Sequence, residues 1–319
     1  MKNKEIKNQL KKEFQDIHMP SRKEQLMRDI EYIDQLEVQQ IKRKIPRKYQ
    51  ISFLALACTL IFAFMISKPQ NVYSVSFEVN PSIELKINHQ RRVEDVICHN
   101  DDALLVLDEM DLKNTDLDVA VNAIIGSMFK YGYITEAKNS VLVSVQGSDK
   151  EAREALKQDV ATDVKDILSG YSLKASVVSQ DYKFSKEREE LAEKYGISVG
   201  KVTLIKKLIN VSPDYEFADL VDLSINDLNT LIHYKNIQFK TITIDGVESH
   251  SGYLSDEEVR TKVLDHAQVT LKDLKSYEDE MDVKNNQLVY NVNFTDAYAS
   301  YNYQVNAISG EIVSFDVKM

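Results

Sequence analysis

Tryptophan is absent from the 319 residues, proline occurs five times, glycine nine times and cysteine twice. Such scarcity of the two punctuating residues excludes collagen-like and low-complexity classes. Cys58 and Cys98 make no disulfide framework and no metal-ligand spacing, and Cys98 reads as ordinary packing. The six histidines are scattered, with no pair at ligand spacing. No phosphate-binding loop, metal cluster or nucleophile–base arrangement stands out, so neither a cofactor nor a conventional enzymatic site is expected.

What the chain does have is one long uncharged run and a charge imbalance on either side of it. Ile51 to Ser67, ISFLALACTLIFAFMIS, carries no charge over 17 residues, a helix of roughly 25 Å at 1.5 Å per residue and long enough for a short bilayer crossing. Residues 50–68 are therefore predicted to form a single transmembrane helix. Lys42, Arg43, Lys44, Arg47 and Lys48 precede it and only Lys68 follows closely. The basic flank places the N-terminus in the cytoplasm and the C-terminal body outside. A lead of this length without a small-residue cleavage pattern argues against a secretory signal. Residues 1–49 hold 13 basic and 8 acidic groups, a net of +5; residues 69–319 hold 26 and 42, a net of −16. The outer part is thus a poor nucleic-acid binder, and the basic lead suits membrane orientation and anionic lipid.

Within residues 1–49, Ile6, Leu10, Phe14 and Ile17 share one helical face. After Pro20, Ser21-x-x-Glu24 reads as a capping box opening a second helix with Leu26, Ile30, Ile33 and Leu36 in a stripe. Two such helices bury little surface alone, and they suit a partner with an apolar groove.

The outer part reads as α+β and α/β in two modules. Residues 69–240 give three strands, two helices and a fourth strand up to Gln146. A long helix follows, capped by Ser148-x-x-Glu151 and ending at Gly170, then a strand over Leu173–Val178. Residues 186–234 read as helices broken at Gly196, Gly200 and Pro213, with Ser224-x-x-Asp227 as a cap. After a turn at Asp245-Gly246, residues 250–319 predict a helix capped by Ser255-x-x-Glu258. It lies on three antiparallel strands, Gln287–Phe294, Ser300–Ala307 and Glu311–Val317.

One dipeptide carries chemistry. SVSFEVNPSIELKIN, residues 74–88, alternates like a strand, yet Asn80-Pro81 stands in its middle, where a proline cannot donate to a ladder. An asparagine side-chain amide can attack its own backbone carbonyl, closing a succinimide and expelling the following residue. The competing deamidation needs the next backbone N–H, which proline lacks. The fold must then hold attack geometry and supply a proton to the leaving proline nitrogen. Glu78, Ser82, His89 and His99 are the nearby candidates.

The run VYSVSFEVNPSIELKINHQRRVEDVICHN, the helix ending in KYGYI, the strand NSVLVSV and the later AEKYGISVGKVTLIKKLI together resemble the extracytoplasmic domain of the anti-sigma-I factor (RsgI-like) family over roughly residues 71–235. The resemblance implies a single-pass membrane protein whose cytoplasmic part holds an alternative sigma factor inactive. It implies an outer domain that self-cleaves between Asn80 and Pro81, the two residues matching the family's cleaved bond, with membrane proteolysis following. The ending YNYQVNAISGEIVSF resembles a PepSY domain. The helical N-terminus departs from the strand-rich sigma-binding domain usual in that family, so the implied partner is an alternative sigma factor of unspecified class. No carbohydrate-binding module is evident at the C-terminus. The expectation is a membrane anti-sigma factor that is no enzyme beyond one self-directed cleavage. The alternative is a membrane-anchored extracytoplasmic binding or protease-inhibiting protein without a sigma-factor partner.

Overall fold

The computed structural model describes residues 2–13, 73–108 and 110–319. The first piece is a helix, α1 (Lys2–Glu13), on which Ile6 and Leu10 stand 56% and 48% exposed. The second N-terminal helix and the apolar run at residues 50–68 lie outside the described residues. Among those described, no helix is long and apolar enough to cross a membrane.

Tyr73 to Met319 belong to one compact unit. Its chain order opens with β1 (Tyr73–Glu78), β2 (Ser82–Ile87), β3 (Val93–Cys98), α2 (Asp101–Leu107), α3 (Leu117–Lys130), β4 (Ser140–Gln146), α4 (Lys150–Gly170) and β5 (Ser176–Tyr182). It continues with α5 (Lys186–Tyr195), α6 (Val199–Val211), α7 (Phe217–Leu220), α8 (Ile225–Tyr234) and β6 (Ile242–Asp245). These build a six-stranded sheet in the order β3-β2-β1-β4-β5-β6. Only the β4–β5 pair is parallel; the others are antiparallel. The parallel pair is joined by the long crossover helix α4, as a parallel connection requires.

The two faces of this sheet differ. Val75 and Phe77 on β1, Ile83 and Leu85 on β2 and Val141 and Val143 on β4 are fully buried against α3 and α4. The alternate positions are Ser74, Ser76, Glu78, Ser82, Glu84, Ser144 and Gln180, all less than a tenth exposed. Helices α6 and α8 cover this second face. Gly200 lets α6 approach: a Cβ there would fall 2.5 Å from Ser144 Oγ and 2.7 Å from Ser76 Oγ. Gln180 Nε2 instead donates to the Gly200 carbonyl at 2.7 Å and to Ser144 Oγ at 3.1 Å. The sequence marks Gly200 as a break, but it lies in the first turn of α6, behind the N-cap Ser198.

The remaining elements are α9 (Asp256–Ala267), β7 (Ser276–Lys284), β8 (Gln287–Thr295), β9 (Ser300–Asn306) and β10 (Ile312–Lys318). They form an antiparallel meander of four strands, one more than the sequence predicts, ordered β10-β9-β8-β7 with α9 against it. The added strand, SYEDEMDVK, escapes a hydropathy reading because Asp279 interrupts the alternating series Tyr277, Met281 and Val283, and Glu278, Glu280 and Asp282 fill the other face. Strand β6 is likewise not expected from the sequence, which marks only the turn at Asp245-Gly246 that ends it, and β5 starts three residues later than the pattern suggests. The meander shares one hydrophobic cluster with α6 and α8: Leu204, Leu208, Leu228 and Leu231 belong with Tyr290, Val292 and Phe294.

The capping predictions resolve individually. Ser224/Asp227 and Ser255/Glu258 form reciprocal capping boxes. Helix α4 is capped by Asp149, whose side chain accepts from Ala152 N, one residue beyond the expected serine. Gly132, at φ +77°, ends α3 in a Schellman arrangement, with Tyr133 N donating to Met128 O and Gly132 N to Phe129 O.

Candidate functional site: the β1–β2 hairpin

Asn80 and Pro81 occupy the turn between β1 and β2, not a ladder position, which removes the conflict between proline and strand. Glu78 pairs with Ser82 across the two strands, leaving Val79, Asn80 and Pro81 as a three-residue loop. Val79 N donates to Pro81 O at 3.1 Å across its base. Asn80 is exposed, whereas Val79 and Pro81 are buried on either side of it. The loop is therefore anchored at both shoulders with the asparagine at its tip.

Beneath the loop lies a buried polar cluster. Glu78 is 1% exposed and Ser82 fully buried. Ser82 Oγ donates to Glu78 Oε2 at 2.7 Å, and the backbone N–H of Ser198 donates to the same oxygen at 3.3 Å. Ser198 caps α6, so this carboxylate is held at a helix N-terminus, where unpaired N–H groups favour an anion. Ser82 is held from three sides: its N–H donates to Asn100 Oδ1 at 3.2 Å, its carbonyl accepts from His99 N at 3.0 Å, and its hydroxyl goes to Glu78.

One step further along β2, Glu84 accepts from Ser74 Oγ and lies 3.0 Å from His99 Nε2. Burial pushes the Glu84 carboxyl up, but the hydrogen bonds from His99 and Ser74 and the nearby His99 and Lys86 charges outweigh it, and the group titrates below its ordinary value. Lys201, in the first turn of α6, is 6% exposed; burial drives its ammonium down, opposed first by the Glu78 charge. A lysine at the positive end of a helix is also disfavoured by the macrodipole, by roughly 0.3–1 kcal/mol at exposed sites.

Of the four proton donors considered, the fold thus brings Glu78 and Ser82 to the loop and His99 to the adjoining end of β3. His89 lies in the β2–β3 turn, exposed, at the far end of β2, roughly 20 Å away by strand rise. Sequence reasoning missed Ser198, Lys201 and Asn100. A lysine three residues after a serine N-cap, where an acid is the rule, was the available signal. Chemically, the cluster offers a buried hydroxyl and a buried carboxylate at the base of a loop whose tip, Asn80, is exposed.

Residues 72–207 match the family model for the anti-sigma factor RsgI-like central domain, and residues 253–316 match the peptidase propeptide and YPEB (PepSY) domain. The chain is similar to anti-sigma-I factor RsgI7 of Acetivibrio thermocellus, 26% identical over 188 residues, covering 57% of this chain and 34% of that one. With RsgI9 of the same organism it shares 34% identity over 125 residues, covering 37% and 18%. With RsgI of Bacillus subtilis the identity is 21% over 159 residues, covering 48% and 41%. The chain thus spans between about a fifth and two fifths of the length of these relatives. The hairpin with its Asn80-Pro81 tip falls inside the first matched segment, and the chain carries an RsgI-like central domain followed by a PepSY domain.

Proposed function

We propose that this protein is a single-pass membrane anti-sigma factor. Residues 1–49 lie in the cytoplasm and sequester an alternative sigma factor, residues 50–68 cross the bilayer, and the outer body receives an extracytoplasmic signal. The observation that carries this reading is the RsgI-like match over 72–207, joined to relatives that are themselves named anti-sigma-I factors. The exposed apolar stripe of α1, with Ile6 and Leu10 uncovered, is the kind of surface a partner helix or groove would cover.

The outer domain cleaves itself once at Asn80-Pro81. The Asn80 side-chain nitrogen attacks its own backbone carbonyl carbon and a C–N bond closes the succinimide. The bond to Pro81 breaks, and the proline nitrogen takes a proton to leave as a secondary amine. Glu78 and Ser82, which flank the loop and hydrogen-bond to each other at 2.7 Å, are our candidates to handle that proton. β1 would stay paired between β2 and β4 after the cut, so the pieces hold together until a signal, followed by a membrane protease, separates them.

Co-purification tests the central partner. The full-length chain expressed in its host should retain an alternative sigma factor, and deletion of residues 1–49 should release it. Failure to retain any sigma factor would shift the weight to a second reading, favoured by the peptidase-propeptide match at 253–316: a membrane-anchored binding or protease-inhibiting protein.

A further inference from the structure

The corner between β3 and α2 grips the residue that follows Pro81. His99 N donates to the Ser82 carbonyl at 3.0 Å, and the Ser82 N–H donates to Asn100 Oδ1 at 3.2 Å. Two consecutive residues thus hold both backbone polar groups of Ser82. The His99 ring faces Glu84 instead, at 3.0 Å, so what His99 gives Ser82 is its main chain. The side chain that completes the grip belongs to Asn100.

Asn100 is the N-cap of α2, at φ −147° and ψ 170°, and its Oδ1 also accepts from Ala103 N at 3.0 Å. Both partners are main-chain N–H groups, which can only donate, so the amide oxygen is the atom that faces them. Capping accounts for the bond to Ala103. It does not account for the bond to Ser82, which reaches back 18 residues to the base of the Asn80-Pro81 loop.

That second bond bears on the loop through one peptide plane. The Ser82 N–H and the Pro81 carbonyl belong to the same planar unit. Its oxygen accepts from Val79 N at 3.1 Å, and its nitrogen donates to Asn100. The plane is therefore tied on both edges, to the end of β1 and to the start of α2. The pyrrolidine ring locks φ of Pro81 near −65°, which leaves ψ as the one soft torsion between this plane and the proline nitrogen. Pro81 is buried while Asn80 is exposed, so the nitrogen side of the Asn80-Pro81 bond is the side the fold holds.

We propose that Asn100 is a positioning residue for the cut at Asn80-Pro81. Through the Ser82 N–H it fixes the Pro81 ring, and with it the direction in which the leaving nitrogen departs and takes its proton. The inference rests on the cleavage reading given above and names what holds that reaction's leaving group; Asn100 itself touches no reacting atom.

The full-length chain, made by cell-free translation into phospholipid nanodiscs, pulse-labelled and followed on a denaturing gel, gives the rate at which residues 1–80 and 81–319 appear. Asn100→Ala should cut at least about tenfold more slowly than the wild type, as expected when a reacting group loses its geometry. Asn100→Asp keeps an oxygen for both N–H groups and should restore the wild-type rate. Leu104→Gly, at an α2 position 59% exposed, weakens the same helix about as much as loss of its cap does, without touching Ser82. It should leave the rate unchanged. A wild-type chain that stays whole would remove the cleavage reading and this inference with it. A wild type that is cut would leave that reading standing, and the inference alone would be overturned if Asn100→Ala were equally fast, if Asn100→Asp were as slow as Asn100→Ala, or if Leu104→Gly were as slow as either.

Discussion

Glu84 shows how a residue that looks surface-bound becomes structural. In sequence it is the polar member of an alternating strand, yet it is 8% exposed and held by Ser74 and His99. Its folded-state titration lies below the ordinary carboxylate value although burial alone would raise it. A carboxyl lowered in the folded state contributes stability above its unfolded value and loses that contribution as pH falls through the folded one. Urea unfolding of wild type and Glu84→Gln should therefore show a stability gap near pH 6 that closes toward about pH 3; a gap that ignores pH would remove Glu84 from this role. The same lesson applies to Glu78 and Ser82. Their identity as candidates was readable from proximity in the chain, but their burial and mutual hydrogen bond were not. Those depend on Ser198, more than a hundred residues away in sequence.

At the scale of elements, what was legible followed local rules. The capping boxes at Ser224 and Ser255, the αL glycine after α3 and the alternating apolar strands β1, β2, β4 and β8 are encoded within a few residues of themselves. What escaped notice depends on distant partners. β7 is acidic at alternate positions, and it is a strand because β8 pairs with all nine of its residues. The hydroxyl-bearing face of the six-stranded sheet reads as solvent-facing until α6 is laid on it, and α6 can lie there because residue 200 has no side chain. Gly200→Val would drive methyl groups into Ser76 and Ser144. A loss of about 1–3 kcal/mol is expected from such overpacking, measured by chemical denaturation. Since α6 also supplies the Ser198 N–H to Glu78, the variant should slow any cleavage at the loop. An unchanged midpoint would contradict the close approach of α6 to the sheet at Gly200.

For the whole molecule, two modules with separate family matches share a single hydrophobic cluster, so the PepSY domain is packed as a continuation of the RsgI-like helices rather than strung behind them. That continuity was not visible in the chain, where the turn at Asp245-Gly246 reads as a boundary. Gly246 itself, at φ +99° and against the Ala175 carbonyl, is a close approach of backbone to backbone within the shared unit. The Asn80-Pro81 pair is visible in the chain as two letters, but most such pairs are simply turns, and the expectation that this one is cut rests on the family resemblance. The intact mass of the full-length chain, recorded under denaturing conditions, probes that tip most directly. The account predicts two species, residues 1–80 and 81–319, from the wild type and one uncut species from Asn80→Ala; a wild-type chain that stays whole, or an Asn80→Ala chain cut at the same bond, would contradict it.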